Sequence, residues 1–465
     1  MTQNRKCIFR LSDLFLIIGF VTMGMFLMWG QDYMQFPDPS LASTKPTLFV
    51  PMFLLLLLSW SIYIYLEHDK KHYINRYAIY ISIVLMITGV IAILTQTKEF
   101  VLDTYDLAGN PKTVSVNLSD THILFFAMET IALCLFVYIG VFIFPTRFNS
   151  IWLIKIFGYL VFATCFALAT YSYIFEINKF WPFLKALGDL DRSALGANIT
   201  MAFTPNSNTV GMLYLVGMIF CFINHSLTKR RWLNWVYWPL ALYFFSMMIF
   251  SYCRTSIVIG PTIMIIYIYY VLLHTFKEHK VANTIFLILE TLILLASVTV
   301  FLLSILSKGQ YIKYINDFYE MFSDDTSMKS RERIWTNTYQ IIAQTQPMSL
   351  IFGRGFGTMN VMVLAMNGFK KQLYPTHNGY LNLLAEGGFI YLFIYLILLG
   401  YITARLVKNY NKNGKAVVAL ALGMYSFAIY SLNETIHYFT YPFMFLILVF
   451  DIALNKKTEN ENTNH

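Results

Sequence analysis

Two arginines and a histidine stand where an apolar chain has little reason to keep them. Ser251-Tyr252-Cys253-Arg254-Thr255-Ser256 puts a guanidinium at the boundary between two apolar runs, where burying an unpaired charge is costly. Either that side chain snorkels to lipid headgroups, or it clamps a lipid-borne phosphate, which a planar guanidinium does with two parallel hydrogen bonds. Ser330-Arg331-Glu332-Arg333-Ile334-Trp335 opens an amphipathic segment. Two arginines in a first helical turn oppose the helix dipole, so either an anion compensates them or Asp324, Asp325 or Glu332 pairs with them. Pro375-Thr376-His377-Asn378-Gly379-Tyr380-Leu381, with Glu386-Gly387-Gly388 behind it, sets a histidine where a long polar segment meets the next apolar run. Histidine exchanges a proton near neutral pH; taken alone, one at such a boundary reads as structural. Gly353-Arg354-Gly355-Phe356-Gly357 looks superficially like a phosphate cradle, but no strand precedes it as a nucleotide fold requires. It reads as a tight turn.

A base and two fixed cations without a metal-ligand cluster suit transfer of a group away from a phosphate leaving group. Guanidiniums stabilise charge developing on the departing phosphate, while the histidine takes the proton of an attacking hydroxyl. No Ser-His-Asp order, HExxH or paired carboxylates appear on these segments, which weakens hydrolase and metal-dependent readings. Neither a metal nor a cofactor is expected. Glu129 and Glu290 fall inside apolar runs, where a transporter would use them, but no partner for either is visible.

The elements that must position these residues are membrane helices. Length alone suggests about three domains, yet hydrophobic residues make up 57% of the 465 and charged ones 13%, about half the usual charged share. A disordered chain and an ordinary soluble enzyme are both excluded. The 34 Lys and Arg exceed the 25 acids, which in a soluble protein would suggest nucleic acid; in a membrane protein their distribution matters more. Five cysteines lie in or beside apolar runs, so neither a disulfide framework nor a metal site is expected.

Apolar runs long enough to cross about 30 Å of hydrocarbon begin near Leu11, Thr47, Tyr77, His122, Ile151, Asn208, Leu233, Thr255, Asn283, Gly379, Lys415 and Ile436. The expected fold is an all-α polytopic bundle of about twelve transmembrane helices. The first run lacks a cleavage signal after it and reads as a retained helix. With both termini inside, Lys70, Lys71, Arg76, Arg147, Lys155, Lys229, Arg230, Arg231, Lys277, Lys280, Arg405, Lys408, Lys412 and Lys415 all fall on inner connectors, as the positive-inside rule asks. The chain then divides into nine helices over 1–306, an extracytoplasmic loop over 307–378, three helices over 379–455 and a disordered cytoplasmic tail over 456–465. The long loop far exceeds an ordinary helix connection and reads as functional. Its own helix signal runs from Arg331 to Gln344, with Ile334, Thr338, Ile341 and Ile342 on one face beside Trp335, and Pro347 ends it. Smaller outer loops span about Gln31–Pro46, Gln96–Thr121 and Glu176–Ser207.

At these residues the chain resembles the O-antigen ligase and O-antigen polymerase superfamily of bacterial membrane glycosyltransferases. The resemblance covers roughly residues 198–388: Pro205-Asn206-Ser207-Asn208 opening a helix, the Ser251-to-Arg254 boundary, Arg331 four residues before Trp335, Pro347 with the Gly353-x-Gly355-x-Gly357 run, then His377-Asn378 and Glu386-Gly387. It implies a glycan donor on undecaprenyl pyrophosphate, transferred without a metal to the hydroxyl of a glycan acceptor on the outer face of the cytoplasmic (inner) membrane. By position, Arg254 and Arg331 would hold the pyrophosphate and His377 would activate or orient the acceptor. Arg333, Arg192 and Arg354 are weaker phosphate candidates, with Asn378 and Trp335 as substrate contacts. The partners implied are the lipid-linked donor, the acceptor, membrane lipids, and a chain-length regulator and flippase; nucleic acid is not one.

Within the superfamily the Lys-, Asn-, Ile-, Tyr- and Phe-rich composition favours a capsular or exopolysaccharide polymerase. A ligase to lipid A core uses the same residues on a different acceptor. A lipid-linked oligosaccharide transporter would need charges lining a path through the bilayer and an inverted repeat, and neither is evident. Tyr311, Tyr314, Trp335, Tyr339, Phe356 and Tyr374 give the long loop aromatic faces, for which packing of the loop is the first reading and sugar stacking the second.

Overall fold

The structure is a computed structural model, and it describes residues 10–29, 49–67, 76–94, 99–105, 111–118, 120–143, 151–189, 191–202, 207–228, 230–275, 326–344, 347–359, 362, 376–436 and 440–462. In chain order these form α1 (Leu11–Trp29), α2 (Phe49–Glu67), α3 (Arg76–Leu94), β1 (Glu99–Tyr105), β2 (Pro111–Asn117) and α4 (Asp120–Phe136), the last continued by a π-helical turn, Val137–Ile143. Next come α5 (Ile151–Phe175), α6 (Ile177–Gly188), α7 (Arg192–Ala197), α8 (Ser207–Leu227), α9 (Arg231–Phe250) and α10 (Arg254–Thr275). Then follow α11 (Thr326–Ala343), α12 (Pro347–Phe352), α13 (Gly379–Tyr430) and α14 (Thr440–Asn462).

Among the described residues seven helices are long and apolar enough to cross a membrane, and three shorter apolar helices accompany them. The protein is an all-α polytopic membrane protein. Only helices satisfy every backbone group inside hydrocarbon without a closed barrel, which is why long runs of Leu, Ile and Phe become helices here. Helices begin within a few residues of ten of the expected starts; the run near Asn283 and the residue Glu290 lie outside the described residues.

The expected start near Lys415 falls inside α13, whose 52 residues would make a straight rod about 78 Å long. Its two ends nevertheless touch: the Gly379 amide donates to the Ser431 carbonyl at 2.6 Å and the Tyr380 hydroxyl to the Ala428 carbonyl at 2.6 Å. The chain therefore reverses within α13. Arg405 is tied to fully buried Asp451 of α14 at 2.6 Å. The last helix continues through Lys456 and Lys457 to Asn462, so the segment expected as a disordered tail from 456 begins as helix.

Two further differences lie in the expected outer loops. Residues 99–105 and 111–117 pair as antiparallel strands, Phe100 opposite Val116 and Leu102 opposite Val114. Alternation in Val114-Ser115-Val116 and the Gly109-Asn110 pair were the sequence signals of this pairing. The helix expected from Arg331 begins at Thr326 instead, so Arg331 and Arg333 stand beyond its first turn, where the dipole has largely faded.

The chain packs as two compact units: residues 1–150, 331–406 and 427–465 in the first, and 151–330 and 407–426 in the second. In the second, α8 is the most buried element. Tyr214 donates to Ser172 at 2.8 Å, and Gly217 leaves room for the Phe244 ring.

Candidate functional site

In the first unit the site begins with the start of α13. Asn378 caps it: its Oδ1 accepts from the Tyr380 and Leu381 amides at 3.0 and 2.9 Å, and its Nδ2 donates to the Leu432 carbonyl at 3.0 Å. An Asn cap satisfies helix amides that have no partner of their own. Both ends of that amide are engaged by the protein, so Asn378 anchors the helix start.

The residue before it, His377, takes a left-handed backbone conformation, φ 51°, which few non-glycine residues adopt. Its Nδ1 lies 2.8 Å from Oε2 of Glu434, a buried carboxylate in the turn after α13. The carboxylate accepts, so Nδ1 carries the hydrogen, and in the neutral imidazole Nε2 is then the nitrogen with the lone pair. Sequence reading missed Glu434 because it is 57 residues away on a short connector; a polar Ser431-Leu432-Asn433-Glu434-Thr435 run between apolar helices was the signal available.

Beneath this start sits the glycine turn. Gly353, Gly355 and Gly357 all take positive φ, as does Gly388 within α13, so the tight-turn reading holds. The Arg354 amide donates to the Ala385 carbonyl at 3.2 Å and the Gly355 amide to the Glu386 carbonyl at 2.9 Å. A Cβ on Gly353 would run into the Glu386 carbonyl, and one on Gly388 into the Ile351 carbonyl. The two glycines let two backbones touch. Glu129 of α4, unassigned from sequence, faces the same turn: a Cβ on Gly357 would stand 2.8 Å from its Oε2.

The Arg354 side chain is buried, with Nη1 3.6 Å from Met362 Sδ. Burial lowers its pKa to about 10, so it stays charged at neutral pH. Of the phosphate candidates it is one whose side chain turns into the loop. Ile334 and Ile341 of α11 form a buried cluster with Met359, Met362 and Ala385, and Trp335 and Ile342 pack against it. Thr338 is fully buried on the same face, as its spacing predicted. Trp335 is partly buried against that cluster, and its indole N–H finds no acceptor among the described residues. Phe356 is buried against Tyr391, ring centroids 4.9 Å apart, whereas Tyr339 is exposed. Tyr311, Tyr314 and Tyr374 lie outside the described residues, as do the side chains of Arg331 and Arg333, whose backbones stand in α11.

The strand pair braces that helix. Gln344, next after α11, donates to the Asp103 carbonyl at 3.1 Å and accepts from the Asp103 amide at 3.2 Å, copying a strand partner on the edge of β1.

In the second unit Arg254 is the first residue of α10, half-buried, its guanidinium carbon 5.6 Å from the centre of the Tyr252 ring. That distance is cation–π range. The turn presenting it is buttressed from α6: Phe180 stacks on Phe250 at 4.2 Å, and Phe183 meets Phe250 and Tyr252 edge-on. The Thr200 amide donates to the Phe250 carbonyl at 3.0 Å. Glu176 holds this strap, accepting from Lys179 Nζ at 2.9 Å and from the Met201 and Ala202 amides at 3.2 and 2.9 Å. Burial opposes its ionisation, but those donors and Ser172 outweigh it and keep the carboxyl below its ordinary pKa. Asp191 caps α7, accepting from the Ser193 and Ala194 amides at 3.0 and 3.1 Å. The backbone of Arg192 opens α7; its side chain is outside the described residues.

The sequence-predicted residues thus divide: His377, Asn378, Arg354 and Trp335, with the backbones of Arg331 and Arg333, belong to the first unit, and Arg254 and Arg192 to the second. Residues 239–396 match a family model described as O-antigen ligase. That span takes in Arg254, Arg331, Arg354 and His377 and leaves out Arg192, the Pro205-Asn206 segment and Glu434. Comparison with curated proteins and with solved structures gave no match.

Proposed function

Because residues 239–396 match a family model described as O-antigen ligase, we propose that the chain is a membrane glycosyltransferase of the O-antigen ligase and polymerase superfamily and, within it, a polysaccharide polymerase. It joins oligosaccharide repeat units carried on undecaprenyl pyrophosphate, at the outer face of the bacterial cytoplasmic membrane, without a metal ion.

The observation that carries this reading is the His377–Glu434 pair at 2.8 Å. Glu434 accepts the Nδ1 hydrogen and leaves the Nε2 lone pair to take the proton of the acceptor's hydroxyl. The acceptor oxygen then bonds to the donor's anomeric carbon as the bond from that carbon to phosphate oxygen breaks. The electron pair leaves on the pyrophosphate, where Arg254 and Arg331 offset the developing charge. Glu434 stabilises the imidazolium that results, as a buried acid does for a catalytic histidine elsewhere. Arg333 and Arg192 are the further phosphate contacts of this reading. A chain-length regulator and a flippase are further partners that this reading allows.

The family model's own description supports a second reading, a ligase that moves the finished glycan to lipid A core or another acceptor. The size distribution of undecaprenyl-linked glycan in a strain lacking the gene separates the two. Accumulation of single repeats establishes the polymerase. Long chains retained on the lipid establish the ligase, and an unchanged distribution refutes both in favour of a transport role.

A further inference from the structure

Glu386 is 2% exposed, and an unpaired carboxylate in such a place is expensive. The expected fold gave it no task. Its two oxygens are spent differently. Oε1 accepts from the Met359 amide at 3.0 Å, and the Gly357 amide also donates to the carboxylate. Oε2 accepts from Asn382 Nδ2 at 2.7 Å. With its nitrogen committed to Glu386, the Asn382 amide must turn its oxygen toward Thr376, whose hydroxyl lies 3.3 Å away as donor. Thr376, fully buried, shares its single hydroxyl hydrogen between that oxygen and the Asn378 carbonyl at 3.0 Å, lies 3.3 Å from Thr435 Oγ1, and accepts from the Asn378 amide at 3.4 Å.

Thr376 and Asn378 flank His377, and Thr435 follows Glu434. The left-handed backbone of His377 is a strained conformation for a residue with a Cβ and persists only if its neighbours are pinned. The pins form one directional chain whose polarity is set by the accepting oxygens of Glu386. Its other end is the glycine turn and, through Met359 and Ala385, the buried face of α11.

We propose that Glu386 is a positioning residue for the transfer reaction: through Asn382 and Thr376 its carboxyl group fixes the setting of the His377–Glu434 pair, and through the Gly357 and Met359 amides it ties that setting to the arginine-bearing loop helix. The inference rests on the histidine's role under the polymerase reading and adds a residue to it.

The test is a swap of amide and carboxylate in full-length protein supplied with its host's undecaprenyl-linked glycan. Glu386→Gln keeps size and one acceptor, but its amide nitrogen then faces Asn382 Nδ2 and forces that amide to flip. Asn382→Asp sets two carboxylates against each other. The double variant restores the pattern, because the amide introduced at position 386 donates to the carboxylate introduced at position 382, which still accepts from Thr376. Each single variant is expected to lose turnover by about 10²-fold, the scale of an ångström-level misplacement, with the donor concentration at half-saturation unchanged. The double variant recovers at least about tenfold of that loss. Wild-type turnover in Glu386→Gln overturns the proposal, and so does a double variant that regains thermal stability but no turnover. His377→Ala runs in parallel: full transfer there refutes the histidine reading itself, whatever the swap shows.

Discussion

His377 Nδ1 and Glu434 Oε2 stand 2.8 Å apart, the histidine two residues before the helix start at Gly379 and the glutamate four residues after the same helix ends at Tyr430. A helix that reverses on itself thereby brings two ends of one chain segment into a single hydrogen bond. The imidazole is oriented by protein, not by substrate, so the geometry exists before any donor binds.

Glu434→Gln retains the shape but presents an amide that can donate to Nδ1 and select the wrong tautomer. Chain growth is expected to fall by roughly 10²- to 10⁴-fold, the range of a lost general base. His377→Ala should fall at least as far, and combining the two should add little, because residues acting as a unit are not additive. Glycan size profiles at matched membrane expression measure this; a double variant far worse than either single one would show that the pair does not act together.

Arg254 offers a guanidinium at the head of α10, braced by Tyr252. Arg254→Lys keeps the charge and loses the planar fork, so under the phosphate-clamp reading it retains only a minor part of the activity. Arg254→Ala abolishes chain growth while the protein inserts normally. Wild-type chain lengths in both variants would leave Arg254 as a headgroup anchor.

Much of this was legible in advance because hydrophobic runs of fixed length have few alternatives in a bilayer. The face of α11 followed from the spacing of Ile334, Thr338 and Ile341 alone. Glu434, Glu129 and the work of Glu386 were not legible, since each depends on which helices become neighbours, a relation that periodicity does not carry. The strand pair at 99–105 and 111–117 was missed for a different reason: its short alternation lay in a stretch already read as a connector. The start of α11 at Thr326 was missed because Thr326-Ser327-Met328-Lys329 has no apolar period to announce it.

Gly388→Ala places a methyl group against the Ile351 carbonyl at a positive φ. Strain of this kind costs on the order of 1–3 kcal/mol before the steric clash is added. The purified variant should melt well below wild type, and Gly353→Ala likewise, since its Cβ meets the facing Glu386 carbonyl. Gly400→Ala, where nothing lies within 4 Å, is the matched control and should melt at least as high as wild type. Equal melting of Gly388→Ala and Gly400→Ala would show that the two backbones do not meet.

The strap at 198–202 should be acid-sensitive, and the sign follows from Glu176. Its carboxyl is held below the ordinary value by Lys179, the Ala202 and Met201 amides and Ser172, against the opposing effect of burial. A group whose pKa is lower in the folded state stabilises that state above its unfolded value, about 4.3 for glutamate, and the contribution is lost as pH falls through the folded value. Hydrogen exchange at the Met201 and Ala202 amides, corrected for intrinsic rate, should therefore show protection near neutral pH that disappears in acid. Glu176→Gln should exchange faster at neutral pH and lose the pH dependence, because the neutral amide accepts more weakly than a carboxylate. Protection that grows on acidification would reverse the sign and remove Glu176 as the clasp. Because the Thr200 amide of the same strap bonds to Phe250 at 3.0 Å, loosening it should also free the turn that presents Arg254. Exchange at Tyr252 and Cys253 should rise together with exchange at Met201, and a strap that opens while that turn stays protected would show the two to be independent.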